Sequence, residues 1–206
     1  MAQSNVPFLD STSATRKFHT NQRSNGTDTV EQYVQAIAEP YLPTYTCTIN
    51  IAISAATANS HLFQLMAGAS LRVGIRRILV TQSANGTTGQ QIWELRRLTT
   101  AGSGGTAATP APLDPADTAA DATFQTLPSS KGTESTLIHA QNVLTHATVA
   151  TVDLNPLLDL DFTRERTKAL WIAAGTSNGI CLKAQTGSTS TTVLMTVYFV
   201  ESPEGA

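Results

Sequence analysis

The chain has 206 residues, a formal charge of -2 and a pI near 6.0, and only 14% of it is charged. That length carries one well-buried core plus an arm or long loop, and the near-neutral balance excludes a polycationic surface for nucleic acid. The charged fraction lies well below the roughly 25% of ordinary soluble domains, and Thr, Ser, Ala and Gly fill the difference, which suits a protein packed against others.

Residues 1–43 are polar and irregular, with SNGTDT at 24–29 and Pro40 and Pro43 at the exit. Within them, TVEQYVQAIAE places Val30, Tyr33, Val34 and Ile37 at helical spacing, so a helical turn or an extended clip is expected. The segment reads as an arm lying on its own core or on a neighbour. From Thr44 the texture becomes β. TYTCTINIAI alternates Tyr45, Cys47, Ile49, Ile51 and Ile53 against Thr and Asn, the period of a half-buried strand. SHLFQLMAG follows. In SLRVGIRRILVTQ, Leu71, Val73 and Ile75 share one parity while Ile78 and Val80 take the other. One extra residue at Arg76-Arg77, a β-bulge, reconciles them. QIWELRRLT has the same switch, from Trp93 and Leu95 to Leu98, after Arg96-Arg97. With the Asn-Gly of SANGTTG between them, these strands are expected to form one antiparallel hairpin bulged on both sides.

Residues 99–134 are rich in Gly, Pro, Ala and Thr, and a loop of that length in a compact domain is often functional or interfacial. Strands resume at STLIHAQNV and HATVATVDL, and NPLLDLDFTRER forms a corner with Pro156 barred from a central ladder. ALWIAAG, GICLKAQ and TTVLMTVYFVE complete about eight strands. No long amphipathic helix separates them, so the chain is expected to be all-β, an antiparallel β-sandwich over 44–206. Long loops between about eight strands favour a jelly roll over a compact immunoglobulin-like domain.

No candidate for chemistry converges. AAGTSNGICLKAQ resembles a phosphate loop at first sight, but no Lys-Ser/Thr follows Gly179 and a strand continues, so a hairpin turn is expected there. His19, His61, His139 and His146 lack ligand spacing; His139 and His146, seven apart across an expected turn, read as surface imidazoles. No GxSxG elbow is present. Asp153, Asp159 and Asp161 lack an EF-hand pattern and read as a solvated face. Cys47 and Cys181 read as small buried hydrophobes, and Trp93 and Trp171 as core or interface rim. No cofactor and no enzyme activity are expected. No stretch approaches the roughly 18 apolar residues of a membrane helix, and MAQSNVPFLDSTSATRK lacks the pattern of a signal peptide, so synthesis in a cytoplasm is expected. The Arg pairs have two readings: an intrachain network with Glu94, Glu134 or the acidic 159–165 segment, or polar anchors at a subunit contact. On the second reading Arg76, Arg77, Arg96 and Arg97 join Phe8, Tyr33 and Tyr41 of the arm as candidate interface residues.

Four stretches carry a resemblance: VPFLDSTSATRKF with GTDTVEQYV; FQLMAGASLRVGIRRILVTQ; ELRRLTTAGSGGTAATPAPLDPAD with LPSSKGTE; and IAAGTSNGICLKA with the closing TVYFVE. In texture and order the chain resembles structural proteins of tailed-bacteriophage virions, particularly small β-sandwich decoration or cement proteins of the head. The resemblance implies a location on the phage head surface, the major capsid protein as partner, and self-association, commonly as a homotrimer. From charge and hydropathy, no direct contact with nucleic acid and none with membrane is expected. The rival expectations are a tail, collar or head-fibre base protein of the same fold, and a carbohydrate-binding sandwich. The latter calls for exposed aromatics in 99–134, which hold only Phe124.

Overall fold

The computed structural model describes residues 4–9, 15–25, 28–32, 42–54, 57, 59–147, 156–163, 170–185 and 190–203, the first three stretches by their backbone. The chain divides into two compact units, Met1–Tyr41 and Leu42–Ala206. The first holds three antiparallel strands in sequential order: β1 (Ser4–Leu9), β2 (Thr15–Asn25) and β3 (Asp28–Gln32). Phe8 pairs with Arg16, and Asn25 with Asp28 across Gly26-Thr27. Of the two readings of TVEQYVQAIAE, the extended one holds as far as Gln32, which is strand; Tyr33, Tyr41 and the rest of that stretch lie outside the described residues.

The second unit is an all-β sandwich of two antiparallel sheets. Its strands are β4 (Thr44–Ile53), β5 (Ser60–Met66), β6 (Leu71–Ala84), β7 (Gly89–Leu98), β8 (Thr106–Ala108), β9 (Ala111–Pro112), β10 (Thr123–Thr126), β11 (Glu134–Thr145), β12 (Leu158–Asp161), β13 (Leu170–Ile172), β14 (Gly179–Ala184) and β15 (Thr191–Pro203). One sheet runs β11-β7-β14-β5-β10-β8, and the other β12-β6-β15-β4-β9 with β13 also on β6. Tyr45, Cys47, Ile49, Ile51 and Ile53 of β4 point into the core, as their alternation requires. They meet Phe63, Leu65, Trp93 and Leu95 of the facing sheet in one apolar cluster. Two aromatic pairs lie in it, Tyr45 on Phe199 and Phe63 on Phe124, with ring centroids 5.4 and 5.1 Å apart.

The bulge expected in β6 is present: Ile75 pairs with Phe199 and Arg77 with Tyr198, leaving Arg76 as the extra residue. Val73, Ile75, Ile78 and Val80 therefore all reach the core. The hairpin does not form. β6 pairs with β15 and β12, β7 pairs with β11 and β14, and residues 85–88 carry the chain from one sheet to the other. Nor is β7 bulged at its Arg pair, since Leu95, Arg96, Arg97 and Leu98 run in unbroken register against β14. Leu98 changes parity because it packs on the outer face of its sheet with Met66 and Cys181. That cluster also supplies the cover that buries Cys181.

AAGTSNGICLKAQ likewise crosses between sheets: β13 pairs with β6, whereas β14 pairs with β5 and β7. Gly175 has the positive φ of 115° expected of a turn glycine. Gly179 is needed for a different reason. A Cβ there collides with the Met66 sulfur and lies 2.7 Å from the Leu65 carbonyl oxygen. Gly179→Ala is therefore expected to cost about 1–3 kcal/mol, read as a lower urea midpoint at unchanged m-value.

Residues 99–134 fold onto the sandwich and extend both sheets, through β8 and β10 on one and β9 on the other. Their two ends run side by side: the Thr99 amide donates to the Thr133 carbonyl at 3.0 Å, and Ser103 bridges Ser130. The middle is held by Glu201, whose buried carboxylate accepts the amides of Asp121 (3.1 Å) and Ala122 (2.7 Å), and by Tyr45, whose hydroxyl donates to the Thr118 carbonyl (3.1 Å).

Candidate functional site

The densest group of ionisable side chains lies on the outer face of the β11-containing sheet, beneath the ends of the long loop. β14 supplies Lys183, which sits between His61 of β5 and Glu94 of β7 in the ladder. Cys181, two residues earlier, sits between Gln64 and Arg96. His61 and Gln64 share this face although they are three apart, because the register of β5 shifts at Leu62. Leu62 and Phe63 both turn into the core as a result.

Glu134, at the start of β11, is the hub. Its Oε1 accepts from His61 Nε2 at 2.9 Å, and its Oε2 from Lys183 Nζ at 3.0 Å. Arg96 Nε lies 3.4 Å from the same Oε2 and donates to Glu94 Oε2 at 2.6 Å. Lys131 Nζ stands 4.0 Å from Oε1 and donates to the Asn59 carbonyl at 2.9 Å. On its other side, His61 Nδ1 accepts from Gln64 Nε2 at 2.6 Å. Gln64 Oε1 then accepts the Gly102 amide at 2.7 Å and Gln125 Nε2 at 3.0 Å. His61 and Gln64 are fully buried, and Lys183 and Glu94 nearly so.

This chain of bonds has one consistent direction. Gly102 donates to Gln64, Gln64 to His61, and His61 to Glu134, which requires a neutral imidazole with its proton on Nε2. A second proton, on Nδ1, has to face the amide hydrogens of Gln64. Burial accordingly lowers the His61 pKa, outweighing the opposing pull of the Glu134 hydrogen bond. For Glu134, burial raises the pKa, but the bonds and charges of His61 and Lys183 together leave it below its ordinary value. The Cys181 thiol is pushed up to about 12, chiefly by burial, and is no nucleophile at neutral pH. Every ring nitrogen of His61 and both carboxylate oxygens of Glu134 are occupied by protein groups. The arrangement therefore links one end of the long loop to the other through β5, and what it can do chemically is fasten that loop. Among the described residues no cluster of three His, Cys, Asp or Glu is placed to hold a metal.

The Arg pairs, which a β6-β7 hairpin could have brought together, are separated, one on each sheet, because β6 and β7 are not neighbours. Arg77 makes two 2.8 Å bonds to Asp159, and Arg96 joins Glu94 and Glu134, so both belong to intrachain networks. Arg97 Nη1 donates to the Trp171 carbonyl at 3.0 Å and so ties β7 to β13 of the other sheet. Arg76 occupies the bulge, where its carbonyl accepts the Phe162 amide. Asp161 accepts from the amide and hydroxyl of Thr163, and Asp153 lies outside the described residues. Trp93 is core, its indole donating to Gln91 Oε1, while Trp171 is half-buried under the Arg72 guanidinium at 4.3 Å. His139 lies on β11 and His146 just past it, with no turn between them. Charge complementarity in the sequence pairs Glu94 and Glu134 with arginine correctly but does not reveal His61, Gln64 and Lys183. Their one signal is a His, a Gln and a Lys inside otherwise apolar strand runs. Comparison with family models, curated proteins and solved structures gives no match to this chain.

Proposed function

We propose that the chain is a structural virion protein that binds the outside of a phage capsid and stabilises it as a decoration protein. The structural observation that supports this reading is the strand order. Of the eight strands β4, β5, β6, β7, β11, β12, β14 and β15, each lies in the opposite sheet from the one before it except β11, which pairs with β7, giving β4-β15-β6-β12 over β5-β14-β7-β11. This order supports reading the sandwich as a jelly roll, an architecture used by viral capsid domains as well as by lectins and cupins. Fold alone does not choose among those uses. The resemblance to phage head proteins favours the first. The lectin-like use is disfavoured because Phe124, the sole aromatic of residues 99–134, is buried against Phe63 and offers no sugar platform. The clamped loop fits a protein that works through contact area and must hold its shape under load.

On this reading the Met1–Tyr41 unit makes the capsid attachment. Deleting it is expected to leave the sandwich folded by circular dichroism and to abolish binding to undecorated capsids. Undiminished decoration by the truncated chain rejects the assignment. Copy number per virion tests the rest, since a tail, collar or head-fibre base protein is present in far fewer copies than a capsid cement.

A further inference from the structure

The sandwich closes most of its lateral edges with very short strands. β8, β9, β12 and β13 have between two and four residues each. β11 differs: it is 12 residues long and, among the described residues, pairs on one side only, with β7. Natural sheets protect such edges with Lys, Pro, inward charges or bulges. From Ser135 to Thr145, β11 has no Lys, Arg, Asp, Glu or Pro. Its irregularity is confined to its start, and residues 139–145 run in unbroken register. Leu137 and Leu144 on it are 45% and 46% exposed.

The register makes this edge self-complementary. Leu137 lies level with Arg96 of β7, Leu144 with Gln90, and Gln141 with Trp93, midway between them. The shift at Ile138 corrects the odd spacing of the two leucines, so both stand on the outer face of the sheet. We propose that β11 is the pairing edge for a second copy of this chain, the two strands joining antiparallel about a twofold axis at Gln141. In that register Gln141 faces the partner's Gln141, and Leu137 and the partner's Leu144 cover each other. No like charges approach one another across the pair, and the contact is isologous and closes at two chains. It depends on the sandwich alone and stands apart from the capsid reading.

Gln141→Cys in the full chain tests the axis. Paired Cα atoms in an antiparallel ladder are about 4.5–5.5 Å apart, within disulfide reach, and Cys47 and Cys181 are buried. Mild oxidation is expected to give a covalent dimer with Gln141→Cys and none with Ser135→Cys, which lies off the axis. By light scattering the native chain should show a concentration-dependent dimer. The Leu137→Lys/Leu144→Lys double variant, altered only at exposed positions, should weaken that dimer by about ten-fold or more, with an unchanged circular dichroism spectrum. A native chain that stays monomeric, a Gln141→Cys that does not cross-link, or an oligomer indifferent to the two lysines overturns the proposal.

Discussion

Replacing Glu134 with alanine is expected to destabilise the sandwich by about 3 kcal/mol, measured by urea unfolding at neutral pH. Removing one member of a buried ionic cluster leaves the others without compensation, and here the carboxylate faces Lys183, Arg96 and Lys131 as well as the His61 N–H. The loss falls at the low end of the usual range for buried pairs, since Glu134 keeps 19% of its side-chain surface exposed. Glu134→Gln should cost less, because its amide oxygen still accepts from Lys183. Adding Lys183→Met to it should recover part of the loss, as a charge is then removed with its partner. A loss under about 1 kcal/mol for the alanine variant places Glu134 among ordinary surface pairs and refutes its role as hub.

Acidification is expected to release the ends of the 99–134 loop before the sandwich unfolds. His61 and Glu134 both have pKa values below their ordinary 6.5 and 4.5, so in each case the unfolded form takes up a proton first. Stability then rises with pH. The contribution tied to His61 is complete above about pH 6.5 and is lost as pH falls towards its lower folded value; that of Glu134 is complete above about 4.5 and is lost below. The groups facing His61 are Glu134, Lys183, Lys131 and the Gln64 amide; the two lysines resist its protonation and Glu134 favours it. Once protonated, its Nδ1 no longer accepts from Gln64, and the bond from Gly102 to Gln64 loses its support. Hydrogen exchange of the Gly102 and Ser103 amides should accelerate between pH 7 and 5 while core amides of β4 and β15 stay protected. In His61→Gln, which cannot ionise, that acceleration should vanish. Exchange independent of pH after correction for intrinsic rates in the native chain contradicts the mechanism.

Several features of the fold are legible in the amino-acid sequence. Strict alternation in β4 places five residues in the core, and the parity switch at Arg76-Arg77 locates a real bulge. The absence of helical periodicity in 44–206 gives the all-β class. The same logic fails at Leu98, where an identical parity switch arises from an apolar patch on the outer face. Period two reports which residues share a face; it does not report whether the face they avoid is wet.

Composition and alternation thus determined the class of fold, most of the core and the weak charge of the surface, because burial of apolar side chains is recorded locally, residue by residue. Tertiary structure decided which strands are neighbours, since strands of either sheet present the same pattern to the shared core. It therefore also decided that Arg76-Arg77 and Arg96-Arg97 lie on different sheets. It decided the polar site too: His61 and Glu134 are 73 positions apart, and Lys183 and Glu134 are 49. Hydrogen bonds and ion pairs depend on ångström distances across the ladder, and nothing in the spacing of residues along one strand encodes those.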